Sequence, residues 1–320
     1  MTRRKVLGGL LAAGAAAAQT PARKQQIEWK PKLGVLAPFT PNNVAFARQE
    51  GFNNMILGVG RGSLDPETAT DQQIQSAIAV LAGRQMSVSA FQASQNHIAA
   101  DAARRKQDND HFVKIIELAG KMGIPYIGTC SGKDPDKKFA DQVDDIVRTY
   151  TERYFPACQK YKVRILWEPW PGGPNIATSP AGFEALFKGF GDSPYVGLQY
   201  DPSHLVWQMM DPIQTARDFV DKIYDVHLKD TEVRWDVLHR GGINPVDGAS
   251  WWSYRLPGLG SIKWNEFFTV LQRAGYQGAM SIEHEDPLYG SPNRPGPDFT
   301  PDYANGFKMA KRYLQQYVPV

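Results

Sequence analysis

Cysteine is nearly missing from this chain: Cys130 and Cys158 are the only two in 320 residues. Two cysteines cannot build a disulfide framework, and no Cys-x-x-Cys pair offers a zinc site. One bridge between them and two unpaired buried thiols both remain open. Beyond the first 22 residues, no apolar run approaches the ~20 residues of a membrane span. A strong charge of either sign is also lacking. There are 36 Lys and Arg against 33 Asp and Glu, a formal net charge of +3, part of it in the first five residues. That balance gives no electrostatic footprint for nucleic acid. Neither a Gly-x-Gly-x-x-Gly turn nor a Walker sequence is present, so nothing supports a nucleotide-binding open sheet.

The chain begins with Thr2-Arg3-Arg4-Lys5-Val6-Leu7, then Gly8-Gly9-Leu10-Leu11 and an alanine-rich run to Ala18. A basic start, a weakly apolar core and an Ala-x-Ala end predict a secretory signal over residues 1–22, with cleavage near Ala18. The paired arginines and the glycine-diluted core point to the twin-arginine type, hence to export of the folded protein, to the periplasm if the source is bacterial. An ordinary secretory signal or an uncleaved tail are the alternatives.

Residues 23–320 read as one domain. Short apolar runs recur at Lys32–Ala37, Asn54–Val59, Met86–Phe91, Ile124–Thr129, Val163–Trp167, Tyr195–Tyr200, Ile223–Val226 and Gly278–Ile282. Helical patterns separate them, for example Phe112, Ile115, Ile116 and Ala119 in the run Asp108–Gly120. Eight strands alternating with helices, without a composition break, predict an α/β fold of the (β/α)8 TIM barrel type. The irregular stretch is 231–263, an apparent long loop containing Trp251-Trp252 and Arg255-Leu256-Pro257-Gly258.

Chemistry gathers where the strands end. The fifth run releases Glu168, the sixth Asp201, the seventh His227 and the eighth Glu283. In a barrel these four side chains meet at the C-terminal mouth. Three carboxylates and an imidazole suit one divalent ion, Mn²⁺, Co²⁺, Mg²⁺ or Zn²⁺, with positions left open for a substrate. Two glutamates on opposite sides of a sugar carbon can remove a proton from one face and return one to the other. Lys229 and His204 are candidates to polarise substrate oxygens, or else a salt bridge and a supporting hydrogen bond. His97, after the third strand, is a candidate sugar contact or a loop residue.

Glu168-Pro169, Asp201-Pro202-Ser203-His204-Leu205, His227-Leu228-Lys229-Asp230 and Ser281-Ile282-Glu283-His284-Glu285-Asp286 resemble the xylose-isomerase-like TIM-barrel family. That family holds sugar isomerases, ketose 3-epimerases, inosose dehydratases and endonuclease IV. The resemblance covers essentially all of the mature chain and is most specific in its C-terminal half. It implies that Glu168, Asp201, His227 and Glu283 are metal ligands, that the glutamates also form the acid/base pair, and that His204 contacts substrate. The epimerases carry a substrate arginine shortly after the metal histidine; Arg234 is nearest here, with its spacing shifted by one residue. Endonuclease IV uses many histidines around three zincs, whereas this chain has six histidines in all.

The expected function is therefore a divalent-metal-dependent sugar isomerase or epimerase. It would work through an enediolate on an unphosphorylated keto-sugar, since sugar phosphates belong to the cytoplasm. A 3-keto-glycoside lyase is the alternative, because the same enediolate can expel a neighbouring group. A reading of another class is an exported sugar-binding protein on an inactive barrel, which would not need both glutamates. The segment 231–263 is expected to fold over the metal, with Trp251 or Trp252 stacking on a sugar and Arg234 or Arg255 bonding its hydroxyls. The competing expectation is a contact in a homo-oligomer.

Overall fold

The computed structural model describes residues 28–60, 64–290 and 296–318. The expected export signal over residues 1–22 lies outside the described residues. Ten strands occur among them: β1 (Lys32–Pro38), β2 (Asn54–Gly58), β3 (Ser87–Gln92), β4 (Tyr126–Thr129), β5 (Arg164–Trp167), β6 (Val196–Tyr200), β7 (Ile223–Leu228), β8 (Asp230–Val233), β9 (Trp252–Arg255) and β10 (Ala279–Ile282). Eight of them close a parallel barrel in the order β1-β10-β7-β6-β5-β4-β3-β2, with β2 returning to β1. These eight are the eight apolar runs of the sequence. Strands covered on both faces become continuous apolar stretches, as in Met55-Ile56-Leu57 of β2 and in β6, buried at every residue.

Helices pack around the barrel and start where the sequence tells them to. Thr40, Thr70, Asp101, Ser179, Asp211 and Thr300 each accept a backbone N–H from the first helical turn, and Pro41, Pro180, Pro212 and Pro301 follow four of these caps. Such a cap contributes about 1 kcal/mol, and proline at the first position loses no hydrogen bond. The helix expected over Asp108–Gly120 begins earlier, at Ala102. Its first turns, Ala-Ala-Arg-Arg-Lys-Gln, are good helix formers without an apolar stripe to reveal them. The long helix from Phe139 to Tyr161 contains a π-helical turn at Tyr150–Tyr154 that buries both tyrosines.

The barrel interior is polar. Asn54 Nδ2 donates to Ser89 Oγ (2.8 Å) and Ser281 Oγ (3.2 Å), and both Ser89 Oγ and Gln199 Nε2 donate to Asp225 Oδ2 at 3.3 Å. Gly128 makes room for this layer: a Cβ there would lie 1.9 Å from Gln199 Oε1. Cys130 and Cys158 are free and buried, so the bridge alternative falls. Burial pushes the Cys158 thiol up to about 12 and raises Cys130 as well.

The stretch 231–263 is not the plain loop its composition suggests. β8 and β9 pair antiparallel outside the barrel, Thr231 opposite Tyr254 and Val233 opposite Trp252, and Trp235–Gly241 is a helix. Asp230 anchors the return of the chain. Its Oδ1 accepts from Thr231 N (2.8 Å) and Ile262 N (3.1 Å), its Oδ2 from Gly258 N (3.0 Å) and Trp264 Nε1 (2.8 Å). Only glycine fits at position 260, where a Cβ would meet Asp230 Oδ1 at 2.3 Å.

Candidate active site

The parallel register brings the ends of β5, β6, β7 and β10 side by side, with Ser281 opposite His227. Glu168 and Asp201 follow β5 and β6 directly, Glu283 follows β10, and His227 is the fifth residue of β7. One ligand atom from each of these four lies within 4.8 Å of all the others, and Glu168, Asp201 and His227 are buried. His227 Nδ1 is 2.9 Å from Glu283 Oε2, 3.2 Å from Glu168 Oε1 and 3.8 Å from Asp201 Oδ2. Asp201 Oδ1 is used to accept from Ser203 N at 2.8 Å, whereas its Oδ2 is buried without a hydrogen bond among the described residues. A buried carboxylate oxygen that meets only ion-pair contacts, from Lys229 and the two histidines, within a ring of three oxygen ligands and one nitrogen ligand fits a divalent cation.

Lys229, directly after β7, reaches into the same cluster. Its Nζ lies 2.7 Å from Glu283 Oε2, 2.7 Å from Glu285 Oε2 and 3.2 Å from Asp201 Oδ2. Burial alone would lower this lysine, but the three carboxylates together hold it well above the ordinary range, so it is an ammonium. The two glutamates differ. Burial raises both, yet His227 and His204 outweigh it at Glu168 and hold that carboxyl well below the usual range. At Glu283 burial prevails over Lys229 and the group is raised. A bound divalent ion would draw both glutamates toward the carboxylate form.

His204 stands on the short helix Ser203–Val206, with Nε2 3.2 Å from Glu168 Oε1. It is brought into the site, as is Lys229. Three further residues join that the sequence reading passed over. Gln92, at the end of β3, donates from Nε2 to Glu168 Oε2 at 2.6 Å. Glu285 binds Lys229. Tyr254 of β9 places its hydroxyl 2.9 Å from His204 Nδ1, and its ring 4.5 Å under the Lys229 ammonium. Gln92 obeys the same strand-end rule as the ligands, and period-two spacing puts Glu285 on the side of Glu283. A cavity of about 230 Å³ opens onto the cluster, lined by Gln92, Gln95, Trp170, His204, Lys229 and Glu285 among others.

Other expected contacts are corrected. His97 is fully buried away from the mouth, with Nδ1 2.9 Å from Tyr154 Oη and Nε2 3.3 Å from Thr129 Oγ1, and with Phe112 and Tyr150 against its ring. It is a core histidine. Trp251 is only 7% exposed and donates to Ile243 O (2.9 Å), packing inside its own segment. Trp252 is stacked on Trp207, 4.5 Å between ring centres and 4° from parallel, so that face is already taken. Arg255 is held by Asp286 (2.9 Å) and Glu232 (2.5 Å), and Arg234 is exposed at the start of the outer helix. The residue of this segment that reaches His204 and Lys229 is Tyr254.

The burial of His97 has a pH consequence. Burial lowers it to about 3, against an ordinary value near 6.5, so the folded chain binds fewer protons than the unfolded one between those values. Stability from this group is complete above pH 6.5 and is lost at about 1.4 kcal/mol per pH unit as pH falls toward 3. Urea unfolding of His97→Gln should therefore show a smaller loss between pH 7 and pH 5 than wild type. Parallel curves for the two proteins would refute the assignment.

A closed parallel barrel that collects buried carboxylates and an imidazole at its C-terminal mouth defines an α/β barrel with a strand-end site. The family model for the xylose isomerase-like TIM barrel matches residues 44–307, and the chain belongs to that family. It is 28% identical over 278 residues to YfiH of Bacillus subtilis, covering 75% of this chain and 87% of that protein. It is 31% identical over 103 residues to inosose dehydratase of Bacillus thuringiensis, covering 32% of this chain and 35% of the dehydratase. Among solved structures, 3-keto-D-glucoside 4-epimerase of E. coli superposes with a TM-score of 0.66 at 16% identity, over 90% of this chain and 100% of that one. A D-psicose 3-epimerase studied with D-fructose gives 0.66 at 14%, again over 90% and 100%. At those identities the structural likeness shows the fold.

Proposed function

We propose that this chain is a divalent-metal-dependent sugar isomerase or epimerase acting on an unphosphorylated keto-sugar. The observation that carries the reading is the placement of two glutamates, Glu168 and Glu283, at 3.2 and 2.9 Å from His227 Nδ1 at the floor of a cavity of about 230 Å³. Glu168, Asp201, His227 and Glu283 would hold the metal, which when bound supplies a Lewis acid that stabilises negative charge on substrate oxygens. The chain's own groups do the rest. One glutamate takes the proton beside the carbonyl and the other returns a proton to the opposite face. His204 and the Lys229 ammonium donate to substrate oxygens, and Gln92 fixes the Glu168 carboxylate against rotation. The twin-arginine-like start supports export, where free sugars and glycosides are the available substrates.

A lyase on 3-keto-glycosides is the second reading, supported by the inosose dehydratases, which align with a third of this chain at 31% identity. Both readings predict one metal per chain and removal of the proton beside the carbonyl; in D₂O an epimerase returns deuterium to that carbon, whereas a lyase leaves it in a double bond as the aglycone departs. Mass spectrometry of free ketoses and 3-keto-glycosides after incubation with metal-loaded protein separates them: an epimer retains the aglycone, a lyase releases it. Absence of both deuterium uptake and aglycone release from every keto-sugar tried, with metal bound, would overturn both readings and leave a binding protein.

A further inference from the structure

We propose that Tyr254 is a positioning residue that fixes the tautomer of His204, keeping the ring proton on Nε2, the nitrogen that faces the cluster. The count of available hydrogens decides the tautomer. The indole N–H of Trp207 can only donate, and it points to Tyr254 Oη at 3.2 Å. The tyrosine oxygen thus accepts from Trp207, and its own hydrogen goes to His204 Nδ1, 2.9 Å away. Burial raises the Tyr254 hydroxyl, so it stays a donor. With Nδ1 accepting, the proton of a neutral His204 sits on Nε2, 3.2 Å from Glu168 Oε1 and 3.4 Å from Asp201 Oδ2.

The opposite tautomer fails the same count. It would need Lys229 Nζ to donate to Nε2 at 3.4 Å, the longest of that ammonium's hydrogen bonds beside two at 2.7 Å to Glu283 and Glu285. Tyr254 would then receive two N–H groups and keep a hydrogen with no acceptor among the described residues. The Nε2 lone pair would face Glu168 Oε1 at 3.2 Å. Trp252, stacked on Trp207 and set edge-on to Tyr254 at 4.9 Å, holds the relay in place. The aromatic residues of the outer hairpin therefore act on the site through a proton position.

The tautomer follows from this geometry alone; its effect on turnover rests on the proposed proton transfer. Two-bond ¹H–¹⁵N correlations of [¹⁵N]histidine-labelled, magnesium-loaded full chain report which ring nitrogen is protonated, with His204→Gln identifying the signals. Wild type should show Nε2 protonated and Nδ1 bare. Tyr254→Phe, which keeps the ring and loses the hydroxyl, should move His204 toward the Nδ1-protonated form, and Trp207→Phe should shift it the same way. A protonated Nδ1 in wild type overturns the proposal, as do unchanged His204 shifts in Tyr254→Phe. In the epimerase assay Tyr254→Phe should lower kcat roughly 10- to 100-fold with KM nearly unchanged. A tautomer that switches without a kinetic response upholds the relay and removes His204 from the proposed reaction.

Discussion

Glu283→Gln and Glu168→Gln should each lower turnover by roughly three orders of magnitude while leaving the barrel folded. Each substitution removes one proton carrier and one anionic oxygen from a cluster whose ligand atoms all lie within 4.8 Å. Isotope exchange distinguishes loss of a base from loss of metal. On the proposed two-base reaction, a variant lacking one glutamate should still exchange deuterium into one epimer of the substrate and not into the other. The two variants should show opposite preferences, at metal contents measured to be equal. Loss of exchange from both epimers in both variants, with metal retained, would show that the glutamates do not divide the faces between them.

The second large effect is on stability, and it comes from a residue beside the site. Asp230→Asn is nearly isosteric, yet it turns one acceptor oxygen into an NH₂ group. Whichever oxygen is replaced, two N–H donors then face a donor: Thr231 and Ile262 on one side, Gly258 and Trp264 on the other. Leaving buried donors unmatched costs about 1–3 kcal/mol each. The variant should lose about 3 kcal/mol in urea unfolding and become sensitive to proteolysis between residues 234 and 251. A variant within 0.5 kcal/mol of wild type, equally resistant to protease, would mean that Asp230 does not anchor the segment.

The barrel was legible because its strands are largely buried, so that each becomes a short apolar run, several of them followed by a polar residue. The same rule exposed Glu168, Asp201, His227 and Glu283, since charge at the end of a buried strand stands out. Gln92 follows the rule but is uncharged and escaped notice. His97 looked like a strand-end contact because its partner, Tyr154, comes from a π-helical turn 57 residues later, and nothing local marks that pairing. The outer hairpin was hidden for another reason. Trp251 and Trp252 are adjacent in sequence but lie on opposite faces of an extended chain. The residue that shares a face with Trp252 is Tyr254, and that face is the one turned toward His204.

The hairpin also separates what can vary from what cannot. Arg234 N donates to Trp251 O at 2.8 Å, so the chain leaves and returns at nearly one point. Inside that point, the pairing of β8 with β9, the anchor at Asp230 and the Arg255–Asp286 contact hold Tyr254 in register with the site. Outside it, residues 235–250 form an exposed cassette with Trp235, Ile243 and Val246 at its surface. Insertions and exchanges of sequence are absorbed best where the two ends already meet. The cassette can therefore change in length and sequence while the paired strands beneath it keep Tyr254 against His204.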